Sequence, residues 1–207
     1  MSFQWIVDKA EMLSMERKRV VGSTVSRGGI VRSVSRGGQG WKITVKLPDG
    51  MPWTDLRSNI SKAEQLDKIT PATLQLSSSG YSWLCGYLGD GNNVIDFRAT
   101  VTKGLNTITL TNSASLDGGG TMKFRAGDFI QLSETGRVYT VAADCPAGSN
   151  TVTLHRPVLE EDAVEVPLLI GPNVIWNVIC TSFPEWTLTS RNLVSWSGPF
   201  VFSENFL

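Results

Sequence analysis

Trp41-Lys42-Ile43-Thr44-Val45-Lys46-Leu47 alternates without a break, with Trp, Ile, Val and Leu on one side of an extended chain and Lys, Thr and Lys on the other. A period of two is the signature of a half-buried β-strand. Pro48-Asp49-Gly50 supplies the turn that ends it. Upstream, Ser23 to Gly40 reads STVSRGGIVRSVSRGGQG, with Ser-Arg-Gly-Gly twice at a nine-residue spacing. Ile30, Val31 and Val34 separate Arg27, Arg32 and Arg36, which reads as a β-hairpin whose tip carries cations. Downstream, Leu56, Ile60, Ala63 and Leu66 keep a helical stripe over Thr54–Lys68. Thr54 is the expected cap and Thr70-Pro71 the stop.

Strand signals continue along the chain. Phe97–Val101, Thr107–Leu110, Phe124–Leu132, Arg137–Val141 and Thr151–Leu154 are separated by turn-forming segments at Lys103-Gly104, Gly118–Gly120, Glu134–Gly136 and Pro146–Asn150. That pitch predicts a small antiparallel barrel or sandwich. Asn173–Cys180 is nearly continuous apolar, which predicts a strand that is central or covered on both faces. Glu185–Leu188 and a final stretch, Val194–Phe202, close the chain. The expected fold class is therefore mainly β, a sandwich or barrel with one helix and an inserted small β-barrel. Residues 1–92 and 166–207 would form the split outer domain and 93–165 the insert, with edges near Asn93 and Glu165.

Charge is balanced overall, nineteen basic residues against nineteen acidic ones, which excludes a globally basic nucleic-acid binder. It is not balanced locally. Residues 1–47 hold nine Lys/Arg and three Asp/Glu, a net of +6; residues 144–207 hold two and seven, a net of −5. Such polarity suits contacts between copies and equally suits two solvated faces. The arginines of the hairpin could grip acidic groups of an adjacent copy, bind nucleic acid in a channel, or simply be solvated; three arginines without interleaved aromatics make a thin nucleic-acid site. The candidate inter-subunit residues are Arg27, Arg32 and Arg36 on the basic side and Glu160, Glu161, Asp162 and Glu165 on the acidic side.

Nothing in the sequence marks a catalytic centre. The single histidine, His155, sits at a strand end beside Arg156-Pro157, a context that fits packing or surface better than acid–base work. Cys85, Cys145 and Cys180 lack metal-ligand spacing and read as reduced, buried small hydrophobes. Gly37-Gly38-Gln39-Gly40 and Gly118-Gly119-Gly120 do not match a phosphate-binding loop. Asp90, Asp96 and Asp128 stand near turns, where aspartate is ordinary turn chemistry. No cofactor and no metal is expected. The N-terminal stretch has no secretory pattern and no segment is apolar enough to span a membrane, so a soluble protein made in a cytoplasm is expected. Of seven tryptophans, Trp41, Trp176 and Trp196 belong to expected strands and to the core. Trp5, Trp53, Trp83 and Trp186 lie near element ends and are candidates for subunit contacts, with carbohydrate stacking as the competing use.

The closing stretch Arg191-Asn192-Leu193-Val194-Ser195-Trp196-Ser197-Gly198-Pro199-Phe200-Val201-Phe202-Ser203-Glu204 resembles the C-terminal strand of bacteriophage tail proteins of the tail-tube fold. So does the order of strand, long basic hairpin, strand, helix and strand. The middle block, with Arg125-Ala126-Gly127-Asp128-Phe129-Ile130-Gln131 and Val138-Tyr139-Thr140-Val141, is similar to the small barrel of distal tail and baseplate-hub proteins. The resemblance implies a non-enzymatic virion subunit at the tail tip, in a homo-oligomeric ring that is commonly a hexamer. Adjacent tail-tube and baseplate-hub proteins would be its neighbours, with passive contact to DNA in the lumen and no membrane insertion. Alternatives are a carbohydrate- or receptor-binding β module, an enzyme of unfamiliar type, and a tail-tube or tail-completion subunit elsewhere in the particle.

Overall fold

A computed structural model describes residues 3–18, 21–25, 27–28, 31–35, 40–66, 70–91, 97–112, 120–133 and 136–205. Along the chain, α1 (Gln4–Asp8) leads to β1 (Met12–Lys18), β2 (Val21–Val25), β3 (Val31–Ser35), β4 (Gly40–Lys46) and β5 (Met51–Pro52). Then come α2 (Trp53–Glu64), β6 (Ala72–Gln75), β7 (Arg98–Val101), β8 (Thr107–Asn112), β9 (Met122–Phe124) and β10 (Phe129–Leu132). β11 (Val138–Thr140), β12 (Cys145–Pro146), β13 (Thr151–Thr153) and β14 (Ala163–Ile170) follow. The chain ends with β15 (Ile175–Ser182), β16 (Trp186–Leu188), β17 (Leu193–Trp196) and β18 (Phe200–Glu204). The fold is mainly β, several antiparallel sheets with one substantial helix. Two compact units divide it: Glu11–Pro71 with Val178–Leu207, and Ser2–Ala10 with Ala72–Asn177. Sequence patterning puts the edges near Asn93, outside the described residues, and Glu165; the structural division falls at Pro71 and Asn177.

In the first unit, β1, β4, β18 and the later half of β15 are hydrogen-bonded in that order. The alternation read from Trp41 to Leu47 is realised: Trp41, Ile43, Val45 and Leu47 are buried, Lys42 and Thr44 half-buried, and Lys46 exposed. Phe200 and Phe202 of the neighbouring strand are buried as well. Gly50, at φ 84°, makes the turn after the strand. β1 and β4 form the base of a long hairpin that β2 and β3 continue outward, pairing from Val21↔Ser35 to Val25↔Val31.

Helix α2 is shorter than its sequence pattern and starts differently. Pro52, in an extended conformation, occupies the N-cap position, and no side chain caps the helix. Thr54 Oγ1 instead donates to Asp55 Oδ1 at 3.2 Å. One N-terminal donor is satisfied from afar, Trp53 N to Asn192 O at 3.0 Å. Leu56, Ile60 and Ala63 are buried as the stripe requires, and the helix ends at Glu64; Asp67 and Lys68 lie outside the described residues. The final stretch is two strands in two sheets, since β17 pairs with β16 and β5 whereas β18 pairs with β4 and β15. Gly198-Pro199 explains the break, because proline cannot donate to a ladder.

The second unit carries a six-stranded sheet in the order β11-β10-β14-β7-β8-β13. It curls into a half-barrel whose ends meet at the bridge Val141↔Leu154, reinforced by Ala142 N to Thr153 O at 2.7 Å and His155 N to Thr140 O at 2.9 Å. Inside lie Phe97, Ala99, Val101, Ile108, Leu110, Phe124, Ile130, Leu132, Tyr139, Val152, Leu168 and Ile170. β15 is central, hydrogen-bonded to β18 on one side and β6 on the other, and its burial alternates. Trp176, Val178 and Cys180 are buried, and Ile175, Asn177 and Ile179 are half-buried.

Candidate functional site

His155 and the turn aspartates Asp90 and Asp128 make hydrogen bonds within the fold. His155 Nδ1 accepts a hydrogen bond from Thr140 N at 2.9 Å, so that nitrogen carries no proton and has no lone pair left for proton abstraction. Asp128 is buried and accepts from Leu88 N and Arg125 N, both at 2.7 Å. Burial pushes its carboxyl above the usual aspartate range, and the two backbone donors work against that shift. Asp90 accepts from Thr121 N at 2.9 Å and Met122 N at 3.0 Å, which hold its carboxyl below the usual range. These aspartates brace loops of the second unit; Asp96 lies outside the described residues. Cys85, Cys145 and Cys180 are free and buried, and burial pushes the Cys85 thiol up to about 12. Among the described residues, no three His, Cys, Asp or Glu side chains group as a metal site. No helix among them is long and apolar enough to cross a membrane.

Of the candidate arginines, Arg27 is exposed at the turn of the hairpin arm. Arg32 lies in β3, opposite Thr24, and Arg36 lies outside the described residues. Among the described residues, β2 and β3 pair only with each other. Val25, at the outer end of the arm, is 68% exposed. From Arg17 to Trp41 the sequence holds six cations (Arg17, Lys18, Arg19, Arg27, Arg32 and Arg36) and no acid.

The acidic candidates all belong to the second unit, and the structure engages them unequally. Glu160 is turned inward: Oε1 accepts from Arg137 N at 2.7 Å and Oε2 accepts from the Tyr139 hydroxyl. Arg137 Nη1 stands 3.8 Å from the same carboxylate, whose side chain is 19% exposed. Gly136 makes room here, since a Cβ would lie 1.9 Å from Leu132 O and 3.4 Å from Glu160 Oε1. Glu161 pairs with Lys103 Nζ at the surface, and Asp162 accepts from Lys103 N at 2.7 Å. Glu165 is exposed and has a left-handed backbone, φ 55°, with its carbonyl receiving Arg98 Nη1 at 3.3 Å.

A second acidic feature, in the first unit, has no counterpart in the sequence pattern. Trp53 and Trp186 stack with ring centroids 4.8 Å apart and planes 27° from parallel. The indole N–H of Trp186 donates to Glu64 Oε1 at 3.2 Å. Beside them an open depression of about 390 Å³ is lined by Glu64, Phe183, Pro184, Glu185, Trp186 and Thr187. Phe183 is fixed edge-on to Phe200, centroids 4.9 Å apart. Trp41, Trp176 and Trp196 are in the core, whereas Trp83 is 71% exposed and Trp5, Trp53 and Trp186 are half-buried. No protein-family model matches the chain, and a search of curated proteins finds no relative.

Proposed function

We propose that this chain is a non-enzymatic structural subunit of a bacteriophage tail tip or baseplate. It builds a homo-oligomeric ring, sixfold in the commonest arrangement, that extends or closes the tail tube and docks the adjacent tube and hub proteins. On this reading the protein is made in the host cytoplasm, ends in the virion tail, and needs no cofactor. The observation that carries it is the hairpin arm. A two-stranded ribbon is marginal in water on its own, yet this one continues past the sheet with cations and no acid between Arg17 and Trp41. An arm of that kind gains its order from an acidic partner. Strand β1 adds support, because among the described residues it is the edge strand of its sheet, the position at which a neighbouring copy's sheet can add.

The test is assembly. Purified protein should form closed rings by negative-stain electron microscopy, with self-association that weakens as salt rises. Replacing Arg27, Arg32 and Arg36 with serine should leave the monomer's Tm nearly unchanged and weaken association. A chain that stays monomeric at every salt concentration, or a triple variant that assembles like the wild type, would overturn the proposal.

A further inference from the structure

We infer that the depression beside Trp186 is a receptor for a guanidinium group, and that its occupant is Arg27 at the hairpin tip of a second copy. This rests on the assembly reading and names an acceptor for the arm other than Glu160, which is tied inside its own unit. The lining is chemically one-sided: two carboxylates, two aromatic rings, a proline and a single hydroxyl. Trp186 holds Glu64 through Oε1 only, and Oε2 makes no hydrogen bond among the described residues. Glu185 is exposed and positioned through its backbone, Ser197 N to Glu185 O at 2.9 Å, and its carboxylate likewise makes no hydrogen bond among the described residues. A planar guanidinium suits this set, because it stacks on indole and presents a fork of donors to carboxylates. A sugar would stack too, but it needs donors to its oxygens as well as acceptors, and Thr187 offers the one side-chain hydroxyl of the lining. Arg27 is the matching group, exposed at a turn next to Gly28, on the arm whose six cations have no acid among them.

Two measurements on the full chain test this. In the first, N-acetyl-arginine amide is titrated while the Trp186 indole N–H resonance, assigned by Trp186→Phe, is followed by NMR. A saturable shift is expected, weaker with N-acetyl-lysine amide and not produced by N-acetylglucosamine. In the second, sedimentation gives the self-association constant. Arg27→Glu alone, and Glu64→Arg with Glu185→Arg, should each weaken it at least tenfold, and mixing the two oppositely charged variants should restore most of the loss. The isosteric pair Glu64→Gln and Glu185→Gln serves if the arginine variants misfold, and should also weaken association. No shift with the arginine amide, or a shift with N-acetylglucosamine alone, would overturn the guanidinium assignment. If rings form and the glutamine pair leaves them unaffected, this pocket is not the acceptor although the ring stands. Arginine amide binding without any self-association would sink both the second-copy assignment and the ring.

Discussion

Replacing Glu160 with alanine should cost stability in the isolated chain, whatever its effect on assembly. Two donors converge on this carboxylate, Arg137 N and the Tyr139 hydroxyl, and Tyr139 is fully buried. Hydrogen bonds to an ionised group contribute about 1.5–3 kcal/mol each. The side chain is 19% exposed, so the low end applies and the sum is about 3 kcal/mol. The Tyr139 hydroxyl is fully committed: its oxygen accepts from Leu159 N at 3.0 Å, and its one proton goes to Glu160. The loss should therefore be strongly coupled to that hydroxyl. In a double-mutant cycle, Tyr139→Phe and Glu160→Ala should show an interaction of roughly 1–2 kcal/mol. Urea unfolding of monomeric protein, followed by tryptophan fluorescence, reads both quantities. If Glu160→Ala shifted stability by less than about 0.5 kcal/mol, the expectation for an exposed surface position, and the cycle gave no coupling, the inward role assigned to Glu160 would be wrong.

Two further expectations concern titratable groups. Native protein at pH 8 should show no fast-reacting thiol toward a disulfide reagent until denaturant is added, because only thiolates react and burial pushes Cys85 up to about 12 and raises Cys145 as well; one thiol reacting at the rate of an unfolded chain would refute it. Asp90 should stabilise the second unit only when ionised. Its folded pKa is depressed by Thr121 N and Met122 N, so its contribution is full above the unfolded value of about 3.9 and is lost as pH falls through the lower folded value. Asp90→Asn should therefore be less stable than wild type at pH 7 and converge on it in acid, as denaturation curves at the two pH values would reveal.

Where periodicity is local, the fold is legible in the sequence. Trp41 to Leu47 needs only neighbours at i+2 to declare its buried face, and the strands from Arg98 to Thr153 are announced by turns lying between them. The helix is legible in its stripe and not in its start, because the donor of Trp53 is satisfied by Asn192, a residue far along the chain. Apolar density is a partial guide in the last segment. Nearly continuous apolar residues from Asn173 to Cys180 predict a strand that is central or covered on both faces; β15 is central, and its burial alternates. Val194 to Phe202 contains enough apolar residues for one strand, and Gly198-Pro199 splits it between two sheets.

The candidate surfaces divide along the same line. A run of cations without an acid is a property of neighbouring residues, so the basic arm stands out from the order of amino acids alone. An acidic surface is different, because a count of carboxylates carries no information on their partners. Glu160, Glu161 and Asp162 are consecutive, and only tertiary structure turns the first onto Tyr139 while leaving the second paired with Lys103 at the surface. The same reasoning explains why nothing in the sequence marks Glu64 and Glu185 as a pair. Glu64 ends a helix and Glu185 precedes a short strand, and they come together because Trp186, 122 positions from Glu64, donates its indole N–H to it. A charge pattern can thus nominate an arm, but the place where such an arm would bind on the proposed reading depends on which carboxylates the fold leaves with an open oxygen beside an aromatic face.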